Sequence, residues 1–244
     1  MKYFFRVEYD GTAYGGWQRQ KNAVSIQAAL EKAFATAVRA PCSVTGAGRT
    51  DAGVHARAQG AHVELAAAID TREVELSVNA LLPPDIAVYR LQQVGDDFHA
   101  RFSAVSRRYR YSLCERKRPL LFKRVWMVFY TVDWKRVEAE CAALIGTHDF
   151  TAFCASGSSA RHARCTVTRA ALAREGDLRV FSIEADRFVY MMVRSLMGTL
   201  VDIGRGHITA PLAEILSGRD RRRAGMTAPA CGLVLDNVFY KGVD

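Results

Sequence analysis

Long apolar runs and paired cysteines are both missing from this chain of 244 residues. No hydrophobic stretch reaches the roughly 18 residues that a membrane-spanning helix needs. The chain opens directly with a strand-like segment, so we expect a cytoplasmic protein that does not enter a membrane. Its six cysteines are scattered without a C-x-x-C pair, and we interpret them as reduced thiols of the core.

Acidic residues are also scarce relative to basic ones. The chain has 34 Lys and Arg against 25 Asp and Glu, which gives a formal net charge of +9. This balance favours a polyanionic partner, although basic enzymes also bind small phosphates. With half of its residues hydrophobic, the chain can bury a full core in one large or two ordinary domains.

The first half of the chain has the hydrophobic pattern of a split βαβ unit. Apolar residues alternate at a period of two in the predicted strands and recur at helical spacing in the first predicted helix, which Ser25 is expected to cap. The order is strand, helix, strand, strand, helix, strand, at 3–9, 26–38, 42–46, 59–65, 72–81 and 86–94. It predicts a mixed α+β, ferredoxin-like fold with two helices on one face of an antiparallel sheet.

The second half follows a similar plan without obvious sequence similarity to the first. Predicted strands lie at 105–114, 125–131, 165–173, 178–186 and 233–240, and predicted helices at 133–145, 188–203 and 211–217. Asp133 is the expected cap of the 133–145 helix and Gly146 its stop. We place the domain boundary near residues 95–104, which gives an N-terminal domain of residues 1–100 and a C-terminal domain of residues 101–244.

The stretch 46–56 predicts a loop that forms a site. Three glycines within eight positions let the backbone approach a ligand closely. Arg49, Thr50, Asp51 and His55 bring a cation, a hydroxyl, a carboxylate and an imidazole into one loop. On spacing alone, a plain polar turn is the alternative.

This loop carries a family resemblance. The segment Gly48-Arg49-Thr50-Asp51-Ala52-Gly53-Val54-His55 is similar to the active-site motif of the tRNA pseudouridine synthase A family. Further segments that resemble the family, in the family's order, are Glu8–Thr12, Gly16–Gln20, Asp97–Ala104, Arg107–Tyr111, Asp149–Phe150 and Met192–Arg194. Together they extend the resemblance over nearly the whole chain.

The resemblance implies an isomerase that converts uridine to pseudouridine in the anticodon arm of tRNA, at positions 38, 39 and 40. Such a reaction breaks the N-glycosidic bond and rejoins the base to ribose through carbon, so it needs no cofactor and no metal. The resemblance also implies that the two halves join into one extended, mainly antiparallel sheet with an RNA-binding cleft, and that the protein is a homodimer.

Asp51 is the expected catalytic residue. A carboxylate on a glycine-flanked loop has few steric neighbours, and carboxylates act both as nucleophiles and as bases. By resemblance, Asp51 starts breakage of the glycosidic bond by attacking the base, attacking the sugar or removing a sugar proton, and these three routes stay open. A capping aspartate is the structural alternative.

The same resemblance assigns Tyr109 and Arg194 to the active site. Tyr109 stands among arginines in an alternating strand, a pattern that suits stacking on the target base and equally suits a core tyrosine. Arg194 is the basic residue on a predicted helix that is apolar nearly all round, so it needs a partner if it is buried. The implied partner is Asp51, and the alternative is an arginine that extends to the surface.

Other residues are expected to bind the substrate. Arg49 is interpreted as a contact to phosphate or to an extruded nucleotide, because a uridine stacked in a stem must leave the stack before it reacts. Leu233 and Leu235 resemble the family's apolar wall under the base, and as strand residues they are equally compatible with plain core. Candidate phosphate contacts are Arg107, Arg108, Arg110, Arg116, Lys117, Arg118, Lys123, Arg124, Arg161, Arg164, Arg219, Arg221, Arg222 and Arg223.

Other interpretations are weaker. His62-Val63-Glu64 mimics the H-x-E element of zinc-dependent base deaminases, but no P-C-x-x-C follows it. Gly46-Ala47-Gly48 suggests dinucleotide binding, but the third glycine lies too near and no helix pattern begins there. A non-catalytic basic RNA-binding protein is the alternative from another class, and a carboxylate in its groove would repel phosphate.

Overall fold

The computed structural model describes residues 1–157 and 162–243. Within them the chain forms ten strands and five α-helices, which confirms the expected mixed α+β class. The strands are β1 (Lys2–Tyr9), β2 (Val44–Gly46), β3 (His55–Glu64), β4 (Ile86–Val94), β5 (Ala104–Cys114), β6 (Trp126–Met127), β7 (Gly146–Asp149), β8 (Arg164–Glu175), β9 (Leu178–Ala185) and β10 (Leu233–Tyr240). The helices are α1 (Ile26–Val38), α2 (Thr71–Leu81), α3 (Trp134–Glu140), α4 (Met192–Gly204) and α5 (Leu212–Gly218).

Two compact units divide the chain. The first comprises Met1–Val105 and Val234–Asp244, and the second comprises Ser106–Leu233. The sequence placed the boundary slightly earlier and assigned the C-terminal strand to the second half. In the structure the chain returns to the first unit at Val234.

The first unit has the predicted split βαβ pattern with one added strand. Its antiparallel strands run in the order β4-β1-β3. The other edge of β3 is shared, because β2 pairs with Ala61–Val63 and β10 pairs in parallel with His55 and Ala56. Ser25 caps α1 as predicted, since its side chain accepts a hydrogen bond from the N–H of Ala28 (3.3 Å).

Buried polar contacts attach β10 to this unit. The side chain of Arg6 in β1 lies in the core, with the residue only 2% exposed. Its Nη1 donates to the carbonyl of Val238 (2.6 Å), and its guanidinium lies 5.5 Å from the ring centre of Tyr240. The Tyr240 hydroxyl donates to the carbonyl of Ala100 (2.7 Å). A buried cation needs such partners, so these contacts fix the C-terminal strand against β1.

The second unit is built on antiparallel strands in the order β5-β9-β8-β7, with β6 parallel to β5. The strand β7 was not predicted. Asp133 caps α3 as expected, but α3 ends at Glu140, a 3₁₀ turn follows, and Gly146 starts β7 at φ +110° rather than stopping a helix.

Three of the six cysteines lie in the core as expected. None forms a disulfide, and Cys114, Cys141 and Cys165 are buried while the others are half-buried. Burial raises the pKa of Cys141 and of Cys165 to about 12. These two side chains therefore remain neutral thiols near pH 7.

Helix α4 is almost wholly buried, and the segment 224–232, here called the return segment, is bound along it. The N–H of Gly225 donates to Thr199 Oγ1 (2.9 Å) and the N–H of Ala228 to the carbonyl of Arg194 (3.1 Å). At Gly198 the two backbones approach so closely that an added Cβ would lie 1.8 Å from the carbonyl oxygen of Met226. Glycine is therefore required at this point of the helix.

We expect Gly198→Ala to destabilise the protein by about 2 kcal/mol or more, because overpacking against backbone cannot be relieved by a rotamer change. Chemical denaturation measures the effect. The matched control is Gly218→Ala, at the end of α5, where the added Cβ meets the flexible end of Arg223 at 3.2 Å. Equal stability of the two variants would contradict the required close approach.

Candidate active site

The aspartate loop, residues 47–54, connects β2 to β3 in the first unit. Sequence analysis predicted that the second of these strands begins at residue 59. In the structure β3 begins at His55, so this histidine belongs to a strand and not to the loop. Asp51 is half-buried, Arg49 is exposed and Thr50 is buried. A charged side chain thus stands on either side of a buried anchor.

Thr50 is that anchor. Its hydroxyl lies 2.7 Å from the hydroxyl of Tyr9, and its carbonyl accepts a hydrogen bond from the N–H of Trp17 (3.1 Å). On the other side of Asp51, the N–H of Gly53 donates to the carbonyl of Tyr14 (3.3 Å). The backbone that carries the carboxylate is therefore fixed at both ends.

Glycines let the segment 10–17 pack directly against this loop. An added Cβ at Gly16, which has φ +100°, would lie 2.5 Å from the carbonyl oxygen of Thr50. At Gly11 it would lie 2.0 Å from the carbonyl oxygen of Val54. The segment that follows β1 and the aspartate loop, both of which overlap stretches that resemble the family, are thus packed directly against each other.

Asp10 and His55 form a second link between these segments. The N–H of Gly11 points at Nδ1 of the buried His55 (3.0 Å), and Asp10 Oδ1 lies 3.0 Å from the same nitrogen. Nδ1 can accept the hydrogen bond from Gly11 only without a proton, and it can donate to Asp10 only with one. His55 therefore makes one of these two contacts at a time. We therefore place His55 in the support of the loop.

Tyr14 connects the loop to the start of β4. Its hydroxyl donates to Asp85 Oδ1 (2.6 Å), and the N–H of Asp10 donates to the carbonyl of Asp85 (2.9 Å). Burial, together with the bond to Asp85, raises the pKa of Tyr14, so its phenol stays protonated. The sequence motifs did not single out Asp85.

Gln59 is a supporting residue that sequence analysis missed. It is fully buried on β3, and its Nε2 donates to the carbonyl of Gly48 (2.9 Å). Within the part of the chain that the structure describes, its Oε1 is buried without a hydrogen-bond partner. A signal existed in the sequence, because Gln59 shares the inward face of the strand with Ala61 and Val63, where a polar residue is unusual.

In the second unit, Tyr109 is half-buried on β5, opposite Ile183 of β9. Its ring packs edge to face on Phe188, with ring centres 4.9 Å apart. The neighbouring Tyr111 is buried and donates its hydroxyl to the carbonyl of Pro229 in the return segment (2.7 Å). Of the two tyrosines, Tyr111 is the core residue.

Arg194 is positioned differently from the prediction. Helix α4 begins at Met192, after Met191 with φ 59°, so Arg194 lies in its first turn and not in the middle of a longer helix. It is half-buried, and its Nε donates to the carbonyl of Ala228 (2.8 Å). The return segment therefore holds the guanidinium in a set direction.

The arginines of β5 are bound to other protein groups. Arg108 makes a two-pronged contact with Glu184, at 2.7 and 3.0 Å, and Arg110 pairs with Glu175 at 2.5 Å. Arg107 donates to the carbonyl of Asp186 (2.8 Å). Any contact with phosphate must compete with or share these bonds.

Several further predicted residues are buried or bound to other protein groups, among them Arg219 with Asp149 and Arg222 with Asp220. Leu233 and Leu235 are buried on β10, in agreement with both a wall and a core role. Arg116 and Arg118 share Asp177. Arg161 lies outside the described residues.

The H-x-E element is structural. His62 is buried, and its Nδ1 accepts a hydrogen bond from the N–H of Ala100 (3.1 Å). Among the described residues, no cluster of three His, Cys, Asp or Glu side chains could hold a metal ion. Nor does any helix in those residues have the length and apolarity that would cross a bilayer.

Comparison with known proteins gives one consistent match. The chain matches the family model described as tRNA pseudouridine synthase over residues 6–103 and 141–241. Asp51 and Arg194 lie in these ranges, whereas Tyr109 lies between them.

Individual relatives extend the similarity over almost the full length. Over 237 residues, the chain is 41% identical to tRNA pseudouridine synthase A of Acetivibrio thermocellus, covering 96% of this chain and 97% of the relative. It is also 41% identical over 245 residues to the proteins of that name from Porphyromonas gingivalis and Maricaulis maris, covering 98% and 99% of this chain and 97% and 98% of those relatives.

We expect Thr50→Val to cost about 1–3 kcal/mol of unfolding free energy, because it removes a hydrogen bond to the buried Tyr9 hydroxyl at nearly constant volume. Adding Tyr9→Phe should cost less than the sum of the two single changes, and denaturant unfolding of the four proteins measures this coupling. Thr36→Val, on the exposed face of α1, is the control. Strict additivity would argue against the Tyr9–Thr50 bond.

We also expect a pH effect from His62. Burial, reinforced by His99 and Lys2 and opposed by Glu64, lowers the pKa of His62 from 6.5 to about 4. The unfolded chain therefore takes up more protons than the folded one below pH 6.5, and stability should fall by up to about 3 kcal/mol between pH 6.5 and pH 4. His62→Gln should flatten this dependence, while His207→Gln should leave it unchanged. Parallel curves for wild type and His62→Gln would refute the assignment.

Proposed function

Since the chain belongs to the tRNA pseudouridine synthase family, we propose that it isomerises uridine to pseudouridine in tRNA, at positions 38, 39 and 40 of the anticodon arm, with Asp51 as the catalytic carboxylate. The observation that carries the assignment to Asp51 is the anchored loop around it. Thr50 and Gly53 are bound to the segment 10–17 while Asp51 between them stays partly accessible.

The reaction rearranges a single nucleotide. The bond between N1 and the ribose C1′ breaks, C5 of the uracil bonds to C1′, and the hydrogen on C5 leaves as a proton while N1 takes one up. Since atoms and electrons balance within the nucleotide and solvent, no oxidant, reductant or nucleotide cofactor is consumed. Asp51 acts as nucleophile or as base in this sequence.

A fixed loop suits this role. Catalytic groups are effective when the protein, and not the substrate, has already ordered them. Hydrogen bonds with Tyr9, Trp17 and Gln59 and the close approach at Gly16 hold the aspartate loop through contacts within the first unit. Asp51 therefore needs little reorganisation to meet a uridine.

We assign supporting roles to two residues of the second unit. Tyr109 contacts the target base, which fits a half-buried ring held at its edge by Phe188. Arg194 is the charge partner of the Asp51 carboxylate, and the bond from its Nε to Ala228 orients the guanidinium. Both roles rest on the family resemblance together with these local contacts.

Further residues contact the RNA in this proposal. The exposed Arg49 binds phosphate or the extruded nucleotide. Leu233 and Leu235 form an apolar wall for the base, and Arg107, Arg108 and Arg110 contact phosphates. The last three are expected to contribute less than unpaired arginines would, because their ion pairs and hydrogen bonds must be shared.

We also propose that the protein acts as a homodimer in the cytoplasm. The second unit exposes three large apolar side chains within ten residues, at Leu120, Phe122 and Phe129. Leu120 is 91% exposed. Apolar side chains exposed so close together support an interface between copies of the chain.

We expect Asp51→Asn to lower turnover by more than about 10³-fold while tRNA binds as tightly or more tightly, because the nearly isosteric change removes a negative charge that faces RNA. Release of tritium from C5-labelled uridine in tRNA measures turnover, and filter binding measures affinity.

The control is Asp96→Asn, an exposed carboxylate of the same unit, which should retain wild-type turnover. Retained turnover in Asp51→Asn would contradict the assignment of Asp51 as the catalytic carboxylate. Tight binding of tRNA without tritium release from the wild-type protein would favour the non-catalytic RNA-binding alternative.

A further inference from the structure

Phe102 is the most exposed aromatic side chain in the part of the chain that the structure describes. It lies in the turn before β5, in the first unit, and is 75% exposed. Burying a phenyl side chain is normally favourable by about 1.5–3 kcal/mol, so an ordered ring in solvent calls for an explanation. The contacts around it provide one.

The ring is held in place by its own turn. The N–H of Ser103 donates to the carbonyl of His99 (2.8 Å), and the N–H of His99 donates to Ser103 Oγ (3.0 Å). The N–H of Arg101 donates to His99 Nδ1 (3.1 Å). The imidazole of His99 stacks on Phe102, with ring centres 4.4 Å apart and planes inclined by 37°.

Contacts with core residues of the first unit fix the position of this turn. Ala100 is bound on both sides, by His62 Nδ1 to its N–H and by the Tyr240 hydroxyl to its carbonyl. The adjacent Phe98 is buried against Phe4 and Tyr240, at 5.4 Å from each ring centre. Phe102 therefore projects from a fixed base.

A cation stands beside this ring. The guanidinium carbon of Arg101 lies 5.6 Å from the centre of Phe102. An ordered aromatic face next to a positive charge is the arrangement by which proteins bind single-stranded nucleic acid, since the base stacks on the ring and its phosphate meets the cation. The flanking side chains of His99, Arg101 and Ser103 are polar, which favours RNA over a second protein surface.

From this geometry we propose that Phe102 is a stacking platform for an unpaired nucleobase of the tRNA substrate, with Arg101 beside the adjacent phosphate. The proposal rests on the proposed function for the identity of the RNA. It adds a binding contact that lies outside the aspartate loop and takes no part in the chemistry.

The test is the affinity for tRNA and for the isolated anticodon stem-loop. Phe102→Ala should weaken binding of both about 5- to 150-fold, the range for loss of one stacked base. Phe102→Trp should bind at least as tightly as wild type. Turnover at saturating tRNA should be preserved in Phe102→Ala, and binding of a blunt RNA duplex should not change.

The salt dependence of binding distinguishes the contribution of Phe102 from that of Arg101. Phe102→Ala should shift the affinity equally at every salt concentration, because no charge is removed. Arg101→Gln should reduce the slope of log K against log salt by about one, as expected for one lost phosphate contact.

Two controls lie on α2 of the same unit. Leu76→Ala removes an apolar side chain that is 65% exposed, and Arg72→Gln removes an exposed charge. Both should bind tRNA as wild type does, and Arg72→Gln should leave the salt slope unchanged.

Wild-type affinity in Phe102→Ala would overturn the proposal, as would an equal loss on the blunt duplex. A change of oligomeric state in analytical ultracentrifugation would show that Phe102 serves an interface between copies, and a lowered melting temperature would show a structural role. If wild-type protein neither binds nor modifies tRNA, the proposed function itself fails. That outcome is distinct from binding that is unaffected by Phe102.

Discussion

The close packing of backbone on backbone beneath Asp51 is the constraint on which the rest of the first unit depends. Gly11 and Gly16 admit the carbonyls of Val54 and Thr50 at distances that no side chain would tolerate. Once these backbones meet, the bonds of Thr50 and Gly53 follow at fixed positions. The main chain that carries the carboxylate is thus fixed by backbone contacts on both sides of Asp51.

The second unit uses the same device for a different purpose. Gly198 lets the return segment lie directly on α4, and the segment then accepts the Nε of Arg194 through Ala228 and the hydroxyl of Tyr111 through Pro229. An arginine in the first turn of a buried helix is thereby given a direction. The return segment thus both packs on α4 and accepts hydrogen bonds from Arg194 and Tyr111.

Most helices and strands were predictable from the sequence, because the spacing of apolar residues and the residues that cap or end an element are local properties. Ser25 and Asp133 identified two helix starts that the structure confirms. Two features were not predictable from the spacing of apolar residues: α4 starts late, after Met191 in a left-handed conformation, and β10 joins the first unit through a contact with Arg6. The candidate loop was predicted from a motif, but the contacts around the predicted residues were not, because the bond from Gln59 to Gly48 and the ion pairs of the β5 arginines join residues distant in sequence.

The position of β10 has a consequence for biosynthesis. Its partner β3 is made early, but the whole of Ser106–Leu233 is translated before β10 can leave the ribosome and pair with it. Until then the edge of β3 that β10 will cover, at His55 and Ala56 beside the aspartate loop, lacks its partner strand. Unpaired strand edges are sites of misassembly, so the first unit is completed late, and a chaperone would matter most in the period before β10 pairs with β3.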